Sequence, residues 1–206
     1  MSNDDDILEA QGEHGYTLYD LVVMSEADEL DKIDTKTLLE TSPHTLSVFL
    51  ERLDVDTQRQ VLRRLNPEQV SDVVSEMDPD MSAELVSEMR EHRAVSVLNE
   101  MEPDDAADIV RELEEEDRDR LLKGMQRSQP ETAENVRELL EYEPDTAGAI
   151  MNPHVATLRD DMTVDDAISK VRNMRDEYEG IYYLYVVDKD DILEGVLSMR
   201  GLLLAP

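Results

Sequence analysis

A repeat of twelve residues runs through the middle of this 206-residue chain and limits what the chain can fold into. Apolar residues recur at a constant spacing of twelve, and apolar pairs follow them at eight and nine residues. The recurring residues are Leu53, Leu65, Met77, Met89, Met101, Leu113 and Met125. The pairs are Val61-Leu62, Val73-Val74, Leu85-Val86, Val97-Leu98, Ile109-Val110 and Leu121-Leu122. A fixed short period predicts stacked units of the same secondary structure.

Each repeat is predicted to be one short helix. Asn66-Pro67, Asp78-Pro79 and Glu102-Pro103 follow recurring residues, and they favour helix starts because Asn and Asp are good N-caps and Pro suits the first helical position. The apolar positions share one helix face. Helices this short need neighbours to persist. We therefore expect an α-solenoid of antiparallel helix pairs over about 41–126, after one more helix at 35–39.

The repeat has departures at one internal position and at its end. Five residues after each recurring residue the chain is apolar at Val70, Ala94 and Ala106 but polar at Gln58, Ser82 and Arg118. Gly124 with Ser128-Gln129-Pro130 is expected to break the pattern. A fresh amphipathic helix is expected over 131–141, ended by Pro144. The Met members of the repeat are interpreted as core residues, because Met fills irregular gaps.

Charge and composition exclude several classes of function. Asp and Glu number 51 against 20 Lys and Arg, a formal net charge of −31, which argues against binding to nucleic acid or to an anionic lipid surface. The chain has no Cys, so disulfides and thiolate chemistry are excluded. Cations or basic proteins are the expected partners. A salty habitat is a second cause that fits the acid excess.

Targeting and catalytic signals are not found in the sequence. No run of about 18 apolar residues suggests a membrane span, and the acidic N-terminus lacks the features of a secretory signal, so we expect a soluble, cytosolic segment. No metalloprotease, nucleophile-elbow or phosphate-loop motif is present. We therefore expect no enzymatic activity.

The pattern changes class near residue 145. A short β-like stretch at 155–158 precedes Thr163, which is expected to cap a helix over 164–174. Residues 181–187 are mostly β-branched or aromatic and predict a buried strand. A turn at 189–191, a second strand over 192–199 kinked at Gly195, and the start of a helix at 200–205 complete a small α/β module.

This second region resembles the first CBS domain of the MgtE family of magnesium transporters and channels. The resemblance rests on the segment 142–153, which contains Asp145-Thr-Ala-Gly148, joined to the strand 181–188 and to 195–200. The helical repeat resembles the N domain of the same family. The resemblance implies a mostly α fold, in which a right-handed superhelix of short helices (α-solenoid) precedes a small α/β CBS domain.

The resemblance also implies a domain plan and a function. It assigns 35–143 to the helical superhelix and 144–206 to a first CBS domain that is incomplete at its last helix, whereas the acid-rich residues 1–34 are expected to form a mobile N-terminal segment. In this family a second CBS domain and a transmembrane domain follow, so we expect an excised piece of a homodimeric membrane protein, on its cytosolic face. The implied function is Mg²⁺ sensing, in which the acidic domains compact on Mg²⁺ and close the pore. With one CBS domain, no complete nucleotide pocket is expected.

Four positions match metal-binding positions of the family. Asp104 and Asp108 match acids of the N domain, Asp72 matches a third, and Ala149 matches a position that contributes a backbone carbonyl. Mg²⁺ takes oxygen ligands and keeps several waters, and Asp104 and Asp108 share a helix face, where their charges repel. Acids are also favoured in a first helical turn without any metal, so both interpretations stay open.

A different class of function is also consistent with the repeat. Superhelices of short helices resemble the flagellar motor switch protein FliG. In that interpretation the groove binds a basic protein partner without sensing metal, and the acids steer association. The CBS-like segment discriminates between the two, because a pure scaffold has no need of it.

Overall fold

The computed structural model describes residues 16–27, 29–144, 146–153, 155–174 and 181–205. The expected acidic segment at 1–34 is therefore described only from Tyr16 onward, and Asp145 also lies outside the described residues. The chain divides into two compact units, Met1–Met151 and Asn152–Pro206. No helix among the described residues is both long enough and apolar enough to cross a membrane.

The first unit is built from short helices, as the repeat predicts. The helices are α1 (Leu18–Glu26), a 3₁₀ helix (Leu30–Lys32), α2 (Thr35–Glu40), α3 (Pro43–Leu50), α4 (Val55–Leu62), α5 (Pro67–Ser75), α6 (Pro79–Ser87), α7 (Glu91–Glu100), α8 (Pro103–Glu112), α9 (Glu115–Ser128) and α10 (Pro130–Glu141). The superhelical fold class is confirmed by this architecture.

Local signals in the sequence explain where these helices begin. Asn66 and Gln69 form a reciprocal capping box at the start of α5, and the Asp78 carboxylate accepts the backbone N–H of Asp80 at the start of α6. Prolines occupy the first helical position of α5, α6 and α8, where a missing N–H costs no hydrogen bond. These starts were predicted because capping depends on residues adjacent in sequence.

The apolar positions of the repeat form one continuous core. All twelve residues of the apolar pairs are buried, as are Leu65, Met77, Met101, Leu113 and Met125. Met77, Met101 and Met125 are thus core residues, as interpreted from their period, and Met89 is partly buried against the same core. Because a connection such as Glu76–Asp78 contributes the buried side chain of Met77, the chain turns into the core between helices instead of looping outside it.

The tertiary structure decides which helices pack together. Most helices pack chiefly against the next helix but one, as α5 does against α7 and α6 against α8. Consecutive helices share a comparably large contact only at α9 and α10. The sequence predicts pairs of antiparallel helices but does not specify which helices meet. Because the chain turns inward at each buried connection, the apolar face of a helix packs against the helix two repeats away.

Gly124 does not end the repeat. It lies inside α9, which continues to Ser128, and a Cβ atom at Gly124 would lie 2.4 Å from Cγ2 of Val95 in α7. The glycine therefore permits the close approach of α7 and α9. The expected break occurs at Gln129-Pro130, where α10 begins.

Several of the scarce basic side chains bind backbone carbonyls. Arg93 donates from Nη2 to the carbonyls of Leu62 and Leu65, at 2.8 and 3.0 Å. Arg111 donates to Leu139 and Tyr142 at the end of α10, and Arg118 to Val110 and Leu113 at the end of α8. Cations are favourable at helix C-termini. These arginines are thus used inside the fold, which leaves many surface carboxylates without a basic partner.

The second unit is a small α/β module. It contains β1 (Thr157–Arg159), α11 (Val164–Asn173), β2 (Tyr183–Val187), β3 (Leu193–Ser198) and α12 (Met199–Leu203). The strands lie in the order β1-β2-β3, with β1 parallel and β3 antiparallel to β2. Thr163 caps α11 as predicted.

The strand expected to be buried is only half buried. In β2 the side chains of Leu184 and Val187 are buried, whereas that of Tyr183 is 62% exposed. Alternation of this kind arises because successive strand side chains point to opposite faces. The described core of this unit is accordingly small, formed by Ala156, Leu158, Ala167, Leu184 and Leu202.

Candidate functional site

The helix α8 presents an acidic stripe formed by Asp104, Asp108 and Glu112. Their spacing of four residues places them on one face, while the opposite face buries Ala106, Ile109 and Val110. The apolar face packs against α6 and α10. Burial of the apolar face therefore holds the three carboxylates in a fixed row.

The carboxylates of this region are electrostatically strained. Burial and the neighbouring charge of Asp104 raise the pKa of Asp105 to about 6, although a hydrogen bond with Ser75 opposes the shift. Burial also raises the pKa of Asp108, Arg111 opposes that shift, and Asp104 adds to it. In Asp104 itself, Oδ1 is buried and has no hydrogen-bond partner. An uncompensated acceptor of this kind is costly, and a bound cation would relieve that cost.

Asp80 extends the stripe to a second helix. A hydrogen bond with the Asp80 side chain is the main cause that raises the pKa of Glu112, followed by burial. Sequence reasoning missed both residues, and it also missed Asp105. A signal was present, because Asp80 and Asp104 occupy the same position two repeats apart. The hydrogen bond of Asp80 with Glu112 follows only once helices two apart are known to pack together.

The expected ligands do not converge on one closed metal site. Among the described residues, no three His, Asp or Glu side chains lie close enough to hold one ion together. Mg²⁺ is commonly bound through one or two carboxylates while it keeps several waters. The pair Asp104 and Asp108 therefore fits an open, hydrated site, and Asp72 does not join it as a third ligand.

Asp72 lies in different surroundings. It is on the exposed side of α5 and lines a cavity of about 210 Å³ with Leu38, Leu39 and Pro43 from α2 and α3. A ligand there would meet one carboxylate on a wall of both apolar and polar side chains, the latter including Thr41 and Gln69.

Ala149 lies in a tight turn at the end of the first unit. Its backbone N–H donates to the carbonyl of Thr146 at 3.0 Å, and its side chain is buried. A Cβ atom at the preceding Gly148 would lie 2.4 Å from the Tyr142 ring. The N–H and the side chain of Ala149 are therefore both used within the turn.

Comparison with known protein families gives two matches. The model of the MgtE intracellular N domain matches residues 41–145. The model of the CBS domain matches residues 147–206.

Curated relatives are magnesium transporters. The magnesium transporter MgtE of Thermus thermophilus is 42% identical over 76 residues, which are 37% of this chain and 17% of the relative. That of Enterococcus faecalis is 44% identical over 73 residues, or 35% of this chain and 16% of the relative. The matched segments are thus about a sixth of the length of these relatives.

Solved structures resemble a much larger part of the chain. The crystal structure of the soluble part of a magnesium transporter has a TM-score of 0.76 at 29% identity, covering 92% of this chain and 73% of that one. The cytosolic domain of the Mg²⁺ channel MgtE in complex with ATP has a TM-score of 0.77 at 32% identity, covering 90% and 76%.

Proposed function

Because this chain belongs to the MgtE family, we propose that it is the Mg²⁺-sensing regulatory region of a magnesium transporter. The observation that carries the proposal is the strained acidic stripe of α8. Asp104 holds a buried oxygen without a hydrogen-bond partner, next to carboxyl groups whose pKa is raised. The same geometry does not favour a scaffold of the FliG type, because binding a basic protein needs no buried, unsatisfied carboxylate.

Mg²⁺ is the proposed ligand of Asp104 and Asp108. Both carboxylates lie on one helix face, and their repulsion would become attraction to a shared hydrated cation. Asp72 and the Ala149 carbonyl are proposed as ligands of separate ions. Each of them offers a single ligating group, a carboxylate or a carbonyl, so water or another domain would complete the coordination.

The proposed mechanism is a shift of population. Without Mg²⁺, repulsion among carboxylates favours expanded arrangements of the acidic domains. Bound Mg²⁺ favours compact arrangements, and a ligand shifts an equilibrium by its difference in affinity for the two states. In the complete transporter we propose that compaction closes the pore, on the cytosolic face of the membrane.

The sheet of the second unit supports a further domain as partner. Tyr183, Leu193 and Val196 lie on β2 and β3 and are more than half exposed. Exposed apolar surface of this kind commonly marks an interaction site. We propose that a second CBS domain covers it and that the complete protein is a homodimer connected to its transmembrane domain.

Calorimetric titration with Mg²⁺ tests the proposed site. The wild type and an Asp104→Asn/Asp108→Asn variant are compared at constant high KCl, which removes generic screening. The control is Glu84→Gln/Glu131→Gln, which removes the same charge at exposed positions outside the stripe. We expect the control to retain the wild-type heats and the Asp variant to lose them. Equal heats in all three proteins would contradict the site.

A further inference from the structure

One cleft of this acidic protein is rich in arginine side chains. It lies between the end of α4 and the start of α7 and has a volume of about 470 Å³. Four arginines line it, namely Arg59, Arg63, Arg90 and Arg93, together with the apolar Leu62 and Met89, His92 and one acid, Glu88. The chain has only 20 Lys and Arg against 51 acids, so a fifth of its fixed cations meet at one cleft.

Two of these arginines are held in place by the fold. Arg93 is anchored by its hydrogen bonds to the carbonyls of Leu62 and Leu65. Arg59 pairs with Asp56 at 2.8 Å and with Glu88 at 3.2 Å, and its side chain is 28% exposed. Its Nε is buried and has no hydrogen-bond partner. The fold therefore fixes Arg93 at the cleft and holds Arg59 beside it, where two carboxylates balance the charge of Arg59.

The other two arginines are available for a ligand. Arg63 and Arg90 are exposed, and within the described part of the chain neither side chain takes part in a hydrogen bond or ion pair. Arg90 stands at the N-terminus of α7 without forming a side-chain cap. Glu91, in the first turn of that helix, is paired with Arg127 at 3.0 Å. Because Arg127 balances the charge of Glu91, the positive end of the α7 helix dipole adds to the positive potential of the arginines.

We propose that this cleft binds a small phosphate-bearing molecule. Guanidinium groups match phosphate oxygens in paired hydrogen bonds, and the volume falls within the range of small-molecule sites. The apolar side chains of Leu62 and Met89 fit a non-phosphate part of the ligand. The formal charge of −31 on the whole chain disfavours a large polyanion such as nucleic acid, because a long ligand would also meet the acidic surface. This site is independent of the Mg²⁺ sites and adds a second class of ligand.

The test is a titration of the full chain, without divalent ions, using pyrophosphate and ADP as probes. Binding is followed by calorimetry and by the amide NMR signals of Leu62 and Met89, so that ADP bound in the CBS domain is distinguished from ADP in the cleft. We expect saturable binding that shifts these two amide signals. Arg63→Gln/Arg90→Gln should weaken it at least about tenfold, because two charge-assisted contacts are removed.

A variant with the same loss of charge outside the cleft is the control. Arg52→Gln/Arg172→Gln alters two exposed arginines that do not line the cleft, and it should bind pyrophosphate like the wild type. Tighter binding of ADP than of pyrophosphate would identify a nucleotide as the ligand, and equal binding a simple phosphate. Absence of saturable binding, or equal weakening in both variants, would overturn the proposal. A third result would also overturn it, namely that the wild type self-associates without binding phosphate and that Arg63→Gln/Arg90→Gln abolishes the self-association. The cleft would then bind a second copy of the chain.

Discussion

At the scale of single residues, three polar side chains replace apolar ones in the repeat and share one role. Gln58, Ser82 and Arg118 each donate to the carbonyl oxygen eight residues earlier, at 2.9, 2.8 and 3.0 Å. Those carbonyls belong to the last turn of the preceding helix or to the residue at its end, where intrahelical partners run out. Each of these polar side chains therefore gives a hydrogen bond to a carbonyl at a helix end.

Replacing Ser82 tests this role. Ser82→Ala removes a buried donor to the Val74 carbonyl and should lower the free energy of unfolding by about 1–2 kcal/mol. The control is Ser87→Ala, whose hydroxyl makes a bond of equal length to Glu84 near the surface. Urea denaturation should show a smaller change for the control. An equal loss in the two variants would contradict a special role for the buried bond.

The raised pKa of Asp105 predicts a pH-dependent effect. The folded-state pKa is about 6 against an ordinary value of 3.8, so the folded protein binds a proton between these values and its stability falls as pH rises through about 6. Asp105→Asn should therefore stabilise the fold at pH 7 and above in the absence of divalent ions, by about 1 kcal/mol after allowance for solvent screening.

The advantage of this variant should disappear as the pH approaches 4, where the wild-type carboxyl is protonated in the folded protein. Thermal unfolding at a series of pH values measures it. Glu84→Gln, an exposed change on α6, is the control and should follow the wild type. A constant difference between Asp105→Asn and the wild type at all pH values would contradict burial as the cause.

At the scale of helices, the close packing of α7 and α9 depends on Gly124. A methyl group at this position would collide with Val95, and overpacking of a core costs about 1–3 kcal/mol. The better helix propensity of Ala returns up to about 1 kcal/mol. We therefore expect Gly124→Ala to destabilise the first unit by about 1–2 kcal/mol, measured by amide hydrogen exchange in α7 and α9.

A second substitution separates crowding from other effects. Val95→Ala in the Gly124→Ala background removes the atom that collides and should restore part of the lost protection. The matched control is Gly195→Ala, because a Cβ atom there would meet nothing within 4 Å. Additive losses in the Gly124/Val95 double variant would show that the two positions do not interact.

At the scale of the whole molecule, the acid excess predicts a response to divalent ions. If the proposed sensing is right, millimolar Mg²⁺ at constant ionic strength should reduce the radius of gyration measured by small-angle scattering. The Asp104→Asn/Asp108→Asn variant should compact less than Glu84→Gln/Glu131→Gln. Compaction of equal size in both variants would indicate general screening of charge and no specific site.

The sequence alone determined the features that depend on neighbours along the chain. The repeat, the proline starts and the caps at Asn66, Asp78 and Thr163 predicted where helices form, because capping and amphipathic periodicity involve residues within one or two turns. Asp104 and Asp108 were also recognisable as neighbours on one face. Their role as Mg²⁺ ligands stays a prediction.

Only the tertiary structure decided which helices contact each other, how those contacts shift the pKa of acidic side chains and where basic side chains gather. The packing of α6 against α8 places Asp80 against Glu112, and the fold also lets Ser75 of α5, three helices before α8, reach Asp105, whose pKa rises because it is partly buried. The fold also brings the end of α4 close to the start of α7, three helices later, and so gathers Arg59, Arg63, Arg90 and Arg93 into one cleft. Burial and long-range charge depend on atoms distant in sequence, so composition and period could state the amount of charge but not where it would be concentrated.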